Sequence, residues 1–313
     1  MNSVKFPALA GDSPLAILAA IGTLQLICQS IDDHALLYWD QETRLPVLDS
    51  FLKSVDDVAE QLVRIVEAMP TNVVIPGGPA GFPPPGAAPD KLRLEQGKLD
   101  GFLRAITTDV SSAEAATVHS WVASLITDLA IDSSGRGAIS QFAAPAGKQS
   151  MSTMLEKPLE SVRSEPDYLR QALVGWRRVP GVTGEYLDHR ANWDSSEDGS
   201  GKAEMRGVPG ATWLALMSYS LWTTTATGSH VRSSGWHSAH EGRRRVQELR
   251  LPLWEEPLGP AAVKTLVEHP VLDCEWRDMD WNALRILGIF DVCRAHRRPA
   301  IGGKSAGALV PLS

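Results

Sequence analysis

The chain has 313 residues, a formal net charge of −7 and a hydrophobic fraction of 43%, values that are ordinary for a globular protein and exclude a wholly disordered chain. The net acidity argues against a protein that coats nucleic acid without sequence preference, because such binding depends on neutralising many phosphates. Cys28, Cys274 and Cys293 are widely separated and form no C-x-x-C pair. This spacing excludes a disulfide framework or zinc knuckle and is typical of a reducing cytoplasm.

The N-terminal 70 residues predict a helix, a hairpin and a second helix. Asp12-Ser13 followed by Pro14 begins a helix that is apolar on most of its sides and is therefore expected to be central. Apolar residues at 36–39 and 45–48, separated by a polar pentapeptide, predict a hairpin. Residues 56–69 predict a helix with one apolar face, which ends at the following proline.

A segment rich in proline and glycine occupies residues 71–90 and predicts a surface connector, since these residues at such density form neither helix nor strand. It separates an N-terminal segment, 1–70, from a main region, 91–313, which the sequence leaves open to form one continuous domain with the first. A loop is predicted at 133–150. Helices are predicted around this loop over 90–107, 113–131 and 151–176, the last broken near Pro166.

The second half predicts strands and helices around one strongly apolar helix at 211–222. An exposed strand is predicted at 243–253 and a buried one at 287–293. Short helices are predicted between them, at 261–268 and 281–286. The fold class expected from this order is α+β, with a helical N-terminal half and a mixed C-terminal half.

Charge and tryptophan are unevenly distributed. Residues 1–150 carry 10 Lys and Arg against 17 Asp and Glu, whereas residues 151–313 carry 20 of each. Eight of the ten tryptophans follow residue 175. Tryptophan serves cores, interfaces and base-stacking surfaces alike, and core packing is its commonest use.

No complete catalytic motif is present. Gly302-Gly303-Lys304-Ser305 resembles part of a phosphate-binding loop, but Pro299 stands where that loop needs its first glycine. A flexible basic tail that contacts a phosphate backbone is the better interpretation.

Two clusters of titratable residues are candidate sites. His237-x-x-His240-Glu241 has the spacing of no zinc motif, and neighbouring glycines predict a polar loop without metal. Asp188, His189, Asp194 and Asp198 are of the types that acid/base or metal catalysis uses, but their spacing does not show that they converge. The sequence therefore leaves enzymatic activity undecided, favours a protein that is not an enzyme, and predicts no cofactor.

Several segments together resemble the CRISPR-associated accessory proteins of type I-G (formerly I-U) loci, the extension family of the signature helicase–nuclease, and more distantly the large-subunit family. The resemblance begins with DSPLAILAAIGTLQL and ALLYWD and continues over most of the chain. The later segments are APAGKQSM, EYLDHRANWDSSEDG, RGVPGATWLALMSYSLW, LRLPLWEEPL, VEHPVL and the basic RAHRRP.

The resemblance implies a cytoplasmic subunit or accessory of an RNA-guided antiviral complex. Its expected partners are other CRISPR-associated subunits, among them the helicase–nuclease, and crRNA or target DNA. No contact with a membrane is expected. In such complexes base pairing reads sequence while protein holds the backbone. Trp193 and Trp236 are expected to be exposed stacking residues. The residues expected to contact phosphate are Arg243, Arg244, Arg245, Arg294, Arg297, Arg298 and Lys304.

Two alternatives remain open at the level of sequence. One is a protein–protein scaffold without nucleic-acid contact, in which the acidic first half binds a basic partner. The other is a hydrolase that uses Asp188, His189 and Asp194. Arginines grouped on one face favour nucleic-acid binding, and dispersed arginines with a broad apolar patch favour the scaffold. A deep pocket lined by the Asp/His group favours the hydrolase.

Overall fold

The computed structural model describes residues 1–85, 91–132, 134–143, 150–182, 187–192, 206–241, 244–298 and 307–312. The described parts contain both helices and antiparallel sheets, which confirms the α+β class with helices prominent in the first half. The helices are α1 (Pro14–Ser30), α2 (Val55–Ala68), α3 (Leu99–Thr107), α4 (Ser112–Leu125), α5 (Met151–Ser164), α6 (Asp167–Val174), α7 (Pro209–Met217), α8 (Pro260–Val267) and α9 (Trp281–Ile286).

The strands form one three-stranded sheet, one four-stranded sheet and three two-stranded hairpins or ladders. Each pair that the structure describes is antiparallel. The strands are β1 (Asn2–Lys5), β2 (Leu36–Trp39), β3 (Pro46–Ser50), β4 (Ile126–Ile131), β5 (Gly137–Ile139), β6 (Val179–Pro180), β7 (Arg206–Gly207), β8 (Thr224–Thr227), β9 (His230–Ser233), β10 (Trp236–Glu241), β11 (Arg244–Trp254), β12 (Ile289–Arg298) and β13 (Ala308–Leu312).

Helix α1 lies at the centre of the core, as its sequence predicts. The Ser13 side chain accepts a hydrogen bond from the amide of Ala16, and Pro14 occupies the first turn, where its missing N–H has no consequence. Every residue from Pro14 to Ile27 is buried. Helix α1 packs more extensively on α7 than on any other described helix.

The contact between α1 and α7 depends on Gly22. A Cβ atom at this position would lie 1.8 Å from the carbonyl oxygen of Leu214, so only glycine allows the two backbones to approach this closely. All nine residues of α7 are buried, and the chain continues as a 3₁₀ turn at Ser218–Leu221. The apolar helix predicted at 211–222 is therefore confirmed as far as Met217, and the residues after it form a 3₁₀ turn instead of continuing the α-helix.

The predictions for the first 70 residues are confirmed by β2 and β3, which pair as a hairpin, and by α2. Strand β1 adds to the outer side of β3, so the order is β1-β3-β2. Indole Nε1 of Trp254 donates to the carbonyl oxygen of Leu37 at 2.7 Å, which ties this sheet to the C-terminal half.

Three predictions for the segment that follows are corrected. The surface connector is partly interior, because Val73, Ile75 and Phe82 are buried in the main hydrophobic core. Helix α3 begins at Leu99 rather than at 90. The helix expected to reach 131 ends at Leu125, and the chain continues directly as strand β4.

The four-stranded sheet has the order β10-β11-β12-β13 and carries most of the candidate site. The strand expected at 243–253 is present as β11, but it is not exposed. Two strands flank it, and Leu249, Leu251 and Leu253 are buried in the core. The helices expected at 261–268 and 281–286 are confirmed as α8 and α9, and the strand expected at 287–293 as β12. None of the described helices combines the length and apolarity that crossing a bilayer requires.

Candidate nucleic-acid interface on the C-terminal sheet

The sheet divides the predicted arginines between its two faces. Strand β11 pairs with β12 so that Arg250 lies opposite Arg294 and Leu249 opposite Ala295. Since successive side chains of a strand alternate between faces, Arg294 and Arg250 share one face, while Arg297 lies on the other. The grouping of arginines seen in the sequence is therefore not a grouping on one surface.

Arg297 is half-buried and bonded to backbone. Its guanidinium donates to the carbonyl oxygens of Gln141 and Phe142, at 3.0 and 3.2 Å from Nη2. It also lies 5.5 Å from the ring centre of Trp236. Arg297 therefore ties strand β12 to the backbone of residues 141–142.

The prediction that Trp236 is an exposed stacking residue is wrong. Trp236 begins strand β10, is 2% exposed and packs edge-on against Phe142 at 5.8 Å between ring centres. Glycine and polar neighbours suggested a loop, whereas the residue faces the core from a strand.

Of the other residues predicted to contact nucleic acid, the structure describes the side chain of Arg245. Arg245 is exposed and donates to the Ser238 hydroxyl at 2.9 Å. The backbone of Arg244 and of Arg298 lies in β11 and β12, but their side chains lie outside the described residues, as do Arg243, Lys304 and Trp193 entirely.

A buried ionic triad underlies the opposite face. The Glu248 carboxylate is 2% exposed and accepts from Arg250 Nε at 2.7 Å, from Arg294 Nε at 3.0 Å and from Arg294 Nη2 at 2.8 Å. Burial alone would raise the pKa of Glu248, but hydrogen bonds from the two arginines outweigh it and the pKa lies below its usual value. The triad has two cations and one anion, so it carries a net positive charge.

The buried guanidinium of Arg250 is held by hydrogen bonds to Glu248 and to two backbone carbonyl groups. The residue is fully buried, and its Nη1 donates to the carbonyl oxygens of Leu272 and Cys274 at 2.7 and 2.5 Å. Its Nη2 is buried and has no hydrogen-bond partner among the described atoms. Arg250 therefore contributes charge to the site from below and cannot itself touch a ligand.

Arg294 is the member of the triad that reaches the surface. Its side chain is 16% exposed, and its guanidinium lies 4.1 Å from the ring centre of Trp276. Glu248 binds it through two parallel hydrogen bonds, a geometry that fixes the plane of the guanidinium. Its Nη1 group has no hydrogen-bond partner among the described residues. This leaves an oriented donor pair available to a ligand.

Two open hollows meet at Arg294 and Trp276. We call the hollow of about 490 Å³ the β10 hollow and the one of about 480 Å³ the β13 hollow, and both together the Arg294 groove. Arg294, Trp276 and Leu312 line both. The β10 hollow adds Ala239, His240, Val246, Glu248, Glu275, Arg277 and His296, and the β13 hollow adds Asp12, Arg44, His189, Arg190, Asp291, Val292, Cys293 and Pro311.

Two exposed arginines stand on the rim of the groove. Arg190 follows His189 in a 3₁₀ turn, and Arg277 follows Trp276 in another. Neither guanidinium forms an ion pair with another described residue, whereas Arg44 is paired with Asp291 at 2.5 Å. The groove therefore combines exposed cations, a fixed guanidinium and a half-buried indole, groups that bind phosphate and bases.

The histidines near residue 237 lie in strands rather than in the predicted loop. His237 is 4% exposed and its Nδ1 lies 3.2 Å from an Asp273 oxygen, and burial lowers its pKa to about 4. His240 Nδ1 lies 2.7 Å from Glu275, whose pKa this hydrogen bond lowers. Within the described ranges, no three His, Cys, Asp or Glu side chains are placed to hold a metal ion.

Of the Asp/His group considered for hydrolysis, the structure describes Asp188 and His189. Asp188 is 4% exposed and pairs with Arg178 at 2.7 Å, a structural ion pair. His189 lines the β13 hollow, and Asp188 is not among the described residues that line it. Asp194 and Asp198 lie outside the described residues, as does the Gly302–Ser305 fragment.

No protein-family model and no curated protein matches this sequence. The candidate site is therefore defined by the structure alone, and it includes residues that the sequence did not single out. Arg190 was missed because it lies outside the basic clusters of the sequence, and Trp276 and Arg277 were missed because a single Trp-Arg pair matches no binding motif. The one available signal was the adjacency of tryptophan and arginine in Trp276-Arg277.

Proposed function

We propose that this protein is a non-enzymatic subunit or accessory of a type I-G CRISPR RNA-guided antiviral complex, and that its Arg294 groove contacts the backbone of crRNA or target DNA. The observation that carries the nucleic-acid contact is Arg294 itself. Glu248 and Trp276 fix its guanidinium, and its Nη1 group faces no described partner at the junction of the two hollows. The resemblance of the sequence to the type I-G accessory family supports the biological setting.

Charge at the groove favours an anion. The triad beneath it has a net positive charge in a setting of low dielectric, where an approaching phosphate is attracted more strongly than it would be in water. Arg190 and Arg277 add two exposed guanidinium groups, which bind phosphate oxygens in a bidentate manner. The two hollows are lined by four arginines and by four carboxylates, those of Asp12, Glu248, Glu275 and Asp291, so the one positive charge in excess is that of Arg250 beneath them.

The first test is equilibrium binding of single-stranded RNA, single-stranded DNA and duplex over a series of salt concentrations. The variant Arg190→Ala/Arg277→Ala removes two exposed cations without touching the triad. If each binds one phosphate of a single strand, the slope of log K against log salt should decrease by about 1.4.

The matched control is Arg64→Ala/Arg104→Ala, which removes the same charge from exposed positions on α2 and α3. This control should retain the wild-type affinity and slope. Absence of binding at low salt, or an equal loss in both double variants, would refute the contact through the groove.

Whether this protein belongs to a type I-G complex is tested separately. Co-expression with the other proteins of a type I-G locus and crRNA, followed by affinity purification through this chain, should yield the assembly. Recovery of this chain alone, under conditions where the remaining subunits assemble with one another, would contradict the proposal.

A protein–protein scaffold is the second candidate, and one observation favours it. Arg294 and Arg297 lie on opposite faces of the sheet, and Arg297 is bonded to backbone. A scaffold that contacts only protein predicts no salt-dependent affinity for any nucleic acid, so the same titration separates the two functions.

A further inference from the structure

The β10 hollow combines an apolar wall with hydrogen-bonding groups at its edges. Ala239, Val246 and Leu312 supply apolar surface, while Glu275, Arg277 and Arg294 supply acceptors and donors around it. Its volume of about 490 Å³ lies within the range of about 300–1,000 Å³ that small-ligand sites occupy. A phosphate alone needs no apolar wall, so the hollow suits a planar group with polar edges.

We infer that the β10 hollow takes one unpaired nucleobase while Arg190 in the β13 hollow binds a phosphate of the same strand. This inference rests on the proposed function and deepens it, because it assigns single-stranded nucleic acid, rather than duplex, as the ligand. The two subsites are joined at Arg294 and Trp276, which line both hollows.

The fixed guanidinium of Arg294 is the group that a base would meet. Arginine planes stack on unpaired bases, and their N–H groups donate to base edges. Glu248 already holds Nε and Nη2, so only the Nη1 edge is left for the ligand. The Glu275 carboxylate stands in the same hollow; its Oε1 pairs with His240 Nδ1 at 2.7 Å, and its Oε2 is the atom offered to an N–H group of the ligand. A base offers donors and acceptors side by side, as these two groups require.

Duplex nucleic acid does not satisfy this arrangement. In a duplex the bases are stacked and paired, so placing one in a hollow costs the energy of turning it out. An unpaired strand has no such cost. A base bound in the hollow therefore makes the protein prefer single strands to duplex. Contact of phosphates with Arg190 and Arg277 alone would discriminate only weakly between the two.

The experiment compares three ligands with the wild-type protein: an unpaired oligonucleotide, an abasic phosphodiester chain of the same length and charge, and a duplex of half that length, which carries the same number of phosphates. RNA and DNA forms of the unpaired strand are both included, so the preferred sugar is read from the same titrations. Because these comparisons change only the ligand, they do not depend on any variant folding correctly.

The expected result is that the unpaired strand binds at least about tenfold more tightly than the duplex or the abasic chain, the scale of one stacked base. Val246→Trp, which fills the hollow and leaves every charge in place, should lower the affinity for the unpaired strand to that of the abasic chain. Val63→Trp on the distant helix α2 is the matched control and should not change it.

Each contrary outcome has its own meaning. Equal affinity for the unpaired and abasic strands would overturn the base subsite and leave phosphate contact through the groove intact. Unchanged affinity in Val246→Trp, with a preference for the unpaired strand retained, would overturn the location in the β10 hollow. No binding of any ligand at low salt would overturn this inference together with the proposed function.

Discussion

Replacing Glu248 by glutamine should strongly destabilise the fold. Glu248 is the only described anion bonded to Arg250, which is fully buried, and it also binds Arg294. Glutamine has nearly the same shape but no charge, so two guanidinium groups would remain without a counter-charge. Removing one partner of a buried ion pair costs about 3–5 kcal/mol, since the remaining charge is left uncompensated.

Urea denaturation, followed by tryptophan fluorescence, measures this effect. With a slope of about 3 kcal/mol per molar urea, a loss of 4 kcal/mol lowers the unfolding midpoint by roughly 1.3 M. The matched control is Glu60→Gln, which removes the carboxylate of an exposed pair with Arg64 one helical turn away. Exposed pairs of this kind contribute about 0.3–0.5 kcal/mol, so the control should barely move the midpoint.

The pH dependence gives the prediction its sign. The pKa of Glu248 in the folded protein lies below its ordinary value of 4.5, because hydrogen bonds from Arg294 and Arg250 outweigh the effect of burial. A carboxyl with a lowered pKa stabilises the fold above its unfolded pKa, and that stability is lost as pH falls through the folded pKa. The difference between wild type and Glu248→Gln should therefore be full at pH 7 and shrink below about pH 4.5. A midpoint equal to wild type at pH 7 would refute the role assigned to this carboxylate.

Three further predictions concern the core. Gly22→Ala places a methyl group 1.8 Å from the Leu214 carbonyl oxygen and should lower stability by about 1–3 kcal/mol in urea denaturation, whereas Gly101→Ala on open α3 should be neutral or slightly stabilising. Burial lowers the pKa of His237 from 6.5 to about 4, so the free energy of unfolding of the wild type should fall by up to about 3 kcal/mol as the pH is lowered between those values. An equal fall in a His237→Gln variant would contradict this. Burial raises the pKa of Cys293 to about 12, so a thiol reagent at pH 8 should modify it only after unfolding, as mass spectrometry of the labelled peptides would show.

Elements with local signals were predictable from sequence, and those defined by distant partners were not. Ser13-Pro14 marks the start of α1 because a capping hydroxyl and a first-turn proline act within a few residues. Strand β4 was missed because Ile126–Ile131 continues an apolar helical pattern, and its conformation depends on pairing with β5. The pattern alone carries no information on that partner.

The candidate site shows the same division. Alternation along β11 places Glu248 and Arg250 on one face, and this was readable in principle. That Arg294 completes the triad depends on the register between β11 and β12, which only the folded sheet fixes. Arg190 and Trp276 meet across the groove from positions far apart in the chain, so no spacing rule connects them.

The packing of α1 on α7 has a consequence for synthesis of the chain. Roughly 180 residues separate the two helices, and at about 5–20 residues per second a ribosome needs about 10–40 seconds to add them. Throughout that time α2, β2 and β3 can already pack on α1, but the face of α1 that contacts α7 has no native cover. The nascent N-terminal segment therefore presents an apolar helix to holding chaperones until translation has passed residue 217, and slowing translation before that point should increase aggregation.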